Sequence, residues 1–121
     1  MLNLNSIMIG TERPKELTFF YEKVFVKKPD MTDGDWSGFQ VGACFFSIGK
    51  HDKVHGQSTN PERLILIIEA KDVRVEFARI KELGAKVVAE PYQMGEGDHQ
   101  PWIATFADPD GNYFQLMSPW E

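Results

Sequence analysis

Apolar positions along the chain follow two rhythms, and the pair of rhythms occurs twice. Residues 4 to 9 alternate loosely, as a half-buried strand does. Leu17, Phe20, Tyr21 and Val24 then recur at helical spacing behind Pro14, whose fixed φ suits the first turn of a helix. The same order returns downstream. Leu64 to Ile68 form a continuous apolar run of strand length, and Asp72 is placed to cap a helix whose stripe is Val73, Phe77, Ile80 and Leu83. Gly84 supplies its left-handed stop. One constant offset carries Ser6 onto Leu64, Phe19 onto Phe77, Phe25 onto Leu83 and Val26 onto Gly84. Val26 is β-branched and resists a left-handed conformation, so the first helix is expected to end differently from the second.

Each strand–helix pair is followed by strands that close in a hairpin, within "DWSGFQVGACFFSIGK" and "PWIATFADPDGNYFQLMS". In the second hairpin, Asp108 can bond its own backbone, Pro109 presets a turn dihedral and Gly111 tolerates positive φ. Gly42 heads the last arm of the first hairpin as Gly111 does of the second, which matches Phe46 with Gln115. The chain therefore reads as α+β, two tandem βαβββ modules of about 1–50 and about 62–121, with a polar, turn-rich joint over 51–61. A module of this size cannot cover its own sheet. It must pack against the other module or against a second chain.

At 121 residues the chain is one domain's worth, with an ordinary globular composition of 42% hydrophobic and 26% charged residues. Eighteen acidic against 13 basic residues give a net charge of -5, which argues against a nucleic-acid partner. The start, "MLNLNSIMIG", lacks the basic region of a signal peptide, and no apolar run reaches membrane-spanning length. One cysteine, Cys44, excludes an internal disulfide and a cysteine-based metal cluster; its setting in "GACFFSIG" reads as a buried small hydrophobe. These features together predict a cytoplasmic protein.

With "TERPKELTFFYEKVF" in the first module and "FADPDGNYFQLMSP" in the second, the chain resembles the vicinal oxygen chelate superfamily, which includes glyoxalase I, bleomycin-resistance proteins and extradiol dioxygenases. The resemblance covers nearly the whole chain. It implies sheets folded into an open, cup-shaped half-barrel and, at this length, a homodimer. It also implies a divalent metal held by His, Glu or sometimes Gln on the first and last strands of the modules. Those places fall here on Ser6, Phe46, Leu64 and Gln115, or, with a slip of one residue, on Asn5, Arg63 or Ile65. Neither choice assembles the three or four imidazole or carboxylate donors such an ion needs. The expectation is a site with no metal and no other cofactor, in which Gln115 offers a neutral amide.

Three histidines remain. His51 and His55 stand four apart in the polar joint, where nearby Gly49 and Gly56 argue against a helix that would align them. His99, beside Asp98 in "GEGDHQPW", is a candidate acid–base or ligand contact at the mouth of the cup that the resemblance implies. Alternation places Tyr113, Gln115 and Met117 on one face of the last strand and Phe114 and Leu116 on the other. Phe46, Trp102 and Ala104 are expected on the Gln115 side, and Phe45 toward the helices. Trp36 completes the aromatic candidates. The predicted ligand contacts are thus Ser6, Trp36, Phe46, Leu64, His99, Trp102, Tyr113, Gln115 and Met117. A mostly apolar lining with a few polar groups is the make-up of a small-molecule pocket. The reading is metal-free binding of a small, largely apolar or aromatic molecule. Two alternatives stand beside it: a metal-dependent lyase, isomerase or dioxygenase with atypical ligands, and a non-catalytic interaction module.

Overall fold

The computed structural model describes residues 1–97 and 100–119, which divide into two compact units, Met1–Gly56 and Gln57–Glu121. In the first unit β1 (Ser6–Thr11) leads into α1 (Pro14–Phe25), and β2 (Met31–Asp33), β3 (Trp36–Val41) and β4 (Cys44–Lys50) follow as a meander. The second repeats the order with β5 (Leu66–Glu69), α2 (Val73–Glu82), β6 (Lys86–Gln93), β7 (Trp102–Ala107) and β8 (Tyr113–Met117). Each unit forms one four-stranded mixed sheet, β1-β4-β3-β2 in the first and β5-β8-β7-β6 in the second. The last strand of each unit lies beside the first in parallel, which the returning helix makes possible, and beside the preceding strand as an antiparallel hairpin. The α+β class and the tandem βαβββ plan stand as the apolar pattern predicts.

Each helix buries its stripe on its own sheet. Leu17 and Tyr21 are fully buried and Val24 nearly so. Tyr21 and Phe25 close on Phe46 with ring centroids 4.9 and 5.6 Å apart, and Phe25 also meets Phe39. In the second unit Phe77 of α2 stacks on Phe106 at 5.0 Å, and Phe106 stacks on Phe114 at 5.5 Å. Asp72 caps α2 as expected, its Oδ1 accepting the Val75 amide at 3.2 Å. At the last hairpin the Gly111 amide reaches the Asp108 carbonyl at 2.9 Å, and Gly111 takes φ 80°.

Three local expectations are corrected. Val26 does adopt the left-handed conformation, at φ 56° and ψ 47°, and so ends α1 much as Gly84 ends α2 at φ 92°. The reason lies in the helix carbonyls: the amides of Val26 and Lys27 both turn back to the Glu22 carbonyl, and that satisfaction outweighs the side chain's preference. Strand β5 starts at Leu66 rather than Leu64, because a turn in which the Arg63 amide bonds the Asn60 carbonyl occupies the preceding residues. Leu83, counted in the α2 stripe, is instead its half-exposed C-cap.

Candidate functional site

Each sheet has a face under its helix and a face free of it, and candidate residues lie on each free face. In the first unit the Thr18 hydroxyl of α1 donates to Ser37 Oγ at 3.3 Å, which fixes the helix side of β3. Trp36 and Gly38 therefore point the other way. On that free face the rings of Trp36 and Phe45 stack, with centroids 6.0 Å apart and planes 28° from parallel. They lie flat because the strand beneath lacks side chains. A Cβ on Gly38 would run into Phe45, reaching within 2.7 Å of its Cε2, and would stand 2.9 Å from Trp36 Cη2. At Gly49 a Cβ would stand 3.0 Å from Met8 Cε and 3.2 Å from Trp36 Cδ1. Ser6 pairs in register with Phe45 and Met8 with Ser47, so all four share this face.

Phe46 does not. It is 5% exposed beneath α1 among Tyr21, Phe25 and Phe39, and Phe45 takes the free face assigned to it. The cause is the hairpin. Gly42–Ala43 alone separate the paired residues Val41 and Cys44, whereas Asp108–Asn112 separate Ala107 and Tyr113. Counting forward from the turn glycines therefore lands on opposite faces in the two units.

In the second unit Phe114 and Leu116 are buried on the helix side, and Tyr113, Gln115 and Met117 share the free face. Register places Thr105 opposite Gln115, Ile103 opposite Met117 and Ala107 opposite Tyr113. Trp102 is consequently on the helix side, its ring 4.8 Å below the Arg74 guanidinium of α2, and Ala104 is buried against the same layer. That corrects the expected position of both by one residue. On β5, Ile67 pairs with Gln115 and Glu69 with Met117, so the free face includes an exposed isoleucine and an exposed carboxylate. Leu64 lies before the strand and is 73% exposed. Gln115 Nε2 donates to Thr105 Oγ1 at 3.2 Å. His99, with Asp98, lies outside the described residues.

The two joint histidines take different partners. His51 Nδ1 accepts the Lys53 amide at 3.1 Å. His55 Nδ1 lies 3.3 Å from Glu12 Oε2, and Glu12 Oε1 accepts the Gly56 amide at 2.8 Å. The Gly56 amide, with His55 adding to it, holds the Glu12 carboxyl below its ordinary value. This lash folds the joint onto β1, where a Cβ on Gly10 would stand 3.1 Å from His51 Cβ.

The donors expected at a family-type metal position do not fit a divalent ion. Ser6 and Gln115 are neutral, Phe46 is in the core, Leu64 is off the strand, and Phe45 and Ile67 on the free faces have no lone pairs. Among the described residues no group of three or more His, Cys, Asp or Glu could hold a metal ion. A shallow cleft of about 290 Å³ beside α1, lined by Lys15, Thr18, Phe19, Glu22, Asp35 and Ser37 among others, opens on the helix side of the first sheet and carries mixed charge.

Sequence reasoning misses Phe45, Thr105, Ile103 and Ile67. The alternation is visible along each strand, but the turn glycine is the wrong origin from which to count it. Strand register supplies the missing parity.

A family model described as a glyoxalase-like domain matches residues 6–117. No curated protein matches the chain. Among solved structures, a glyoxalase/bleomycin resistance protein/dioxygenase family enzyme from Burkholderia phytofirmans PsJN is similar at 16% identity, with a TM-score of 0.77, covering 97% of this chain and 98% of its own. A glyoxalase/bleomycin resistance protein from Albidiferax ferrireducens T118 has 17% identity and a TM-score of 0.73, covering 95% and 98%. A fosfomycin resistance protein, FosX, from Mesorhizobium loti has 16% identity and a TM-score of 0.72, covering 99% and 94%. At these identities the likeness concerns the fold.

Proposed function

The chain belongs to the glyoxalase-like domain family of the vicinal oxygen chelate superfamily, and on that premise we propose that it binds a small, largely apolar or aromatic molecule on the helix-free faces of its sheets, without a metal ion. One observation carries the reading: Trp36 and Phe45 lie stacked and flat on a strand cleared by Gly38, half-buried rather than sealed in a core. Such a surface offers a planar ligand two rings in an offset stack, an arrangement that adds about 0.5–1.5 kcal/mol beyond burial. The poor fit of the neutral donors to a divalent ion supports the metal-free part. Holding such a molecule needs only shape and a few matched polar groups, so sequestration is the activity proposed.

On this reading the two units serve one cytoplasmic domain that works as a homodimer. Exposed Leu2, Leu4 and Met31 support a partner chain. No helix among the described residues is long and apolar enough to cross a membrane.

The test is a panel of neutral aromatic fragments read by ligand-observed NMR against the wild type, Trp36→Leu and Phe45→Leu, with elemental analysis of the same samples. The expected result is fragment binding that both substitutions abolish, with metal far below one atom per chain. A tightly held stoichiometric metal, or binding indifferent to both substitutions, would overturn the proposal.

A further inference from the structure

Gln115 is the polar centre of the second free face, and its usefulness to a ligand depends on which end of its amide is presented. A primary amide has two donor hydrogens and an oxygen with two acceptor sites, and left unrestrained it offers both. Here it is restrained. Thr105 stands directly across the β7–β8 ladder, and its Oγ1 takes a hydrogen from Gln115 Nε2 at 3.2 Å. Thr105 is 5% exposed and β-branched, so its hydroxyl is confined to few rotamers, while Gln115 is half-buried. On the same face Ile67, Ile103, Ala107 and Met117 have no polar side-chain group, and the hydrogen bond that the Gln115 amide makes goes to Thr105 rather than to Tyr113 or Glu69.

We propose that Thr105 is a positioning residue that locks the Gln115 amide nitrogen against the sheet and presents the amide oxygen to the ligand, so that the preferred ligand is an uncharged apolar ring bearing an N–H or O–H donor. The proposal rests on the binding function above and deepens it. A carbonyl acceptor set among apolar side chains favours a donor-bearing molecule over an isosteric one without the donor, because the second leaves the oxygen desolvated and unpaired. A carboxylate at this position would draw cations; the amide oxygen selects among neutral molecules.

The probes are indole and benzofuran, which share shape and size but exchange an N–H for a ring oxygen. Affinities are measured for the wild type, Thr105→Val and Thr105→Ser, and the Gln115 side-chain amide is followed by 15N NMR in each. The wild type is expected to prefer indole by about three- to tenfold, the size of one neutral hydrogen bond. Thr105→Ser should keep the preference. Thr105→Val should lose it while its benzofuran affinity stays within about twofold, a split that general damage to the face would not produce. The wild-type Gln115 amide protons should be well separated, with one slow to exchange, and Thr105→Val should abolish that protection. A wild type that binds both probes equally, or prefers benzofuran, would overturn the proposal, as would a preference that survives Thr105→Val. If neither probe binds, the donor-bearing ligand falls together with the binding function. A Gln115 amide that exchanges freely in the wild type would overturn the orientation alone.

Discussion

Val26 holds a left-handed backbone that its side chain disfavours, and releasing it should stabilise the protein. For an L-residue this conformation costs about 1–2 kcal/mol, with β-branched side chains at the upper end. Val26→Gly removes that strain. Against the gain stand two losses: a glycine's greater freedom in the unfolded chain, about 0.5–1 kcal/mol, and the packing of a side chain already 70% exposed, about 0.5 kcal/mol. The balance is a gain of about 0.5–1 kcal/mol, equivalent to a Tm rise of about 2–5 °C for a chain of this size. Gly84→Val is the mirror experiment. Its φ is 92° and nothing stands within 4 Å of a Cβ built there, so the strain appears with no new packing to offset it. A loss of about 1 kcal/mol is expected. Urea denaturation followed by tryptophan fluorescence, with an unchanged m-value, reads both. If Val26→Gly lowered the midpoint, or Gly84→Val left it in place, strain at the helix ends would not be what sets their stability.

The face assignment in the first unit predicts that Phe46→Ala loses about 3–5 kcal/mol of stability and Phe45→Ala less than about 2 kcal/mol; the reverse order in urea midpoints would refute it. Glu12 has a lowered folded-state pKa, so the hold it gives the joint is present above the ordinary value of 4.5 and is lost as pH falls through the lower folded value. The Gly56 amide proton should therefore titrate with a midpoint below 4.5 and stop titrating there in Glu12→Gln; a midpoint at or above 4.5 contradicts the lash. Gln115→Glu should not create a tight divalent site, because on its own face Ile67, Ile103 and Met117 supply no donors and Glu69 adds only a second carboxylate; saturable zinc or nickel binding by calorimetry in that variant would show that the donor set has been misjudged.

Local chemistry made much of the fold legible. Pro14 at a helix start, Asp72 as a cap, and Gly84 and Gly111 at positive φ each act through their own backbone, so the residue names its conformation. The faces of the strands were less legible. Phe45 and Phe46 are identical side chains in adjacent positions, and Trp102 and Ile103 are both large and apolar, so composition gives alternation no starting point. Only the pairing partner decides, and that partner is set by how many residues the turn consumes. Gln115 was correctly faced because Phe114 and Leu116 bracket it with unmistakable core residues. Thr105 carries no such signal, because its importance lies in what stands across from it, which no single stretch of sequence contains.

The parallel pairing of first and last strands bears on how the protein is made. During synthesis β1 waits for β4, and β5 finds its neighbour only when β8, the last strand of its unit, leaves the ribosome. Each half must close a long loop before its sheet acquires a centre, a route that slows folding and lengthens the exposure of unpaired edges. A ribosome that stalled before Tyr113 would release a chain whose second half held a helix, a β6–β7 hairpin and one strand with nothing to join.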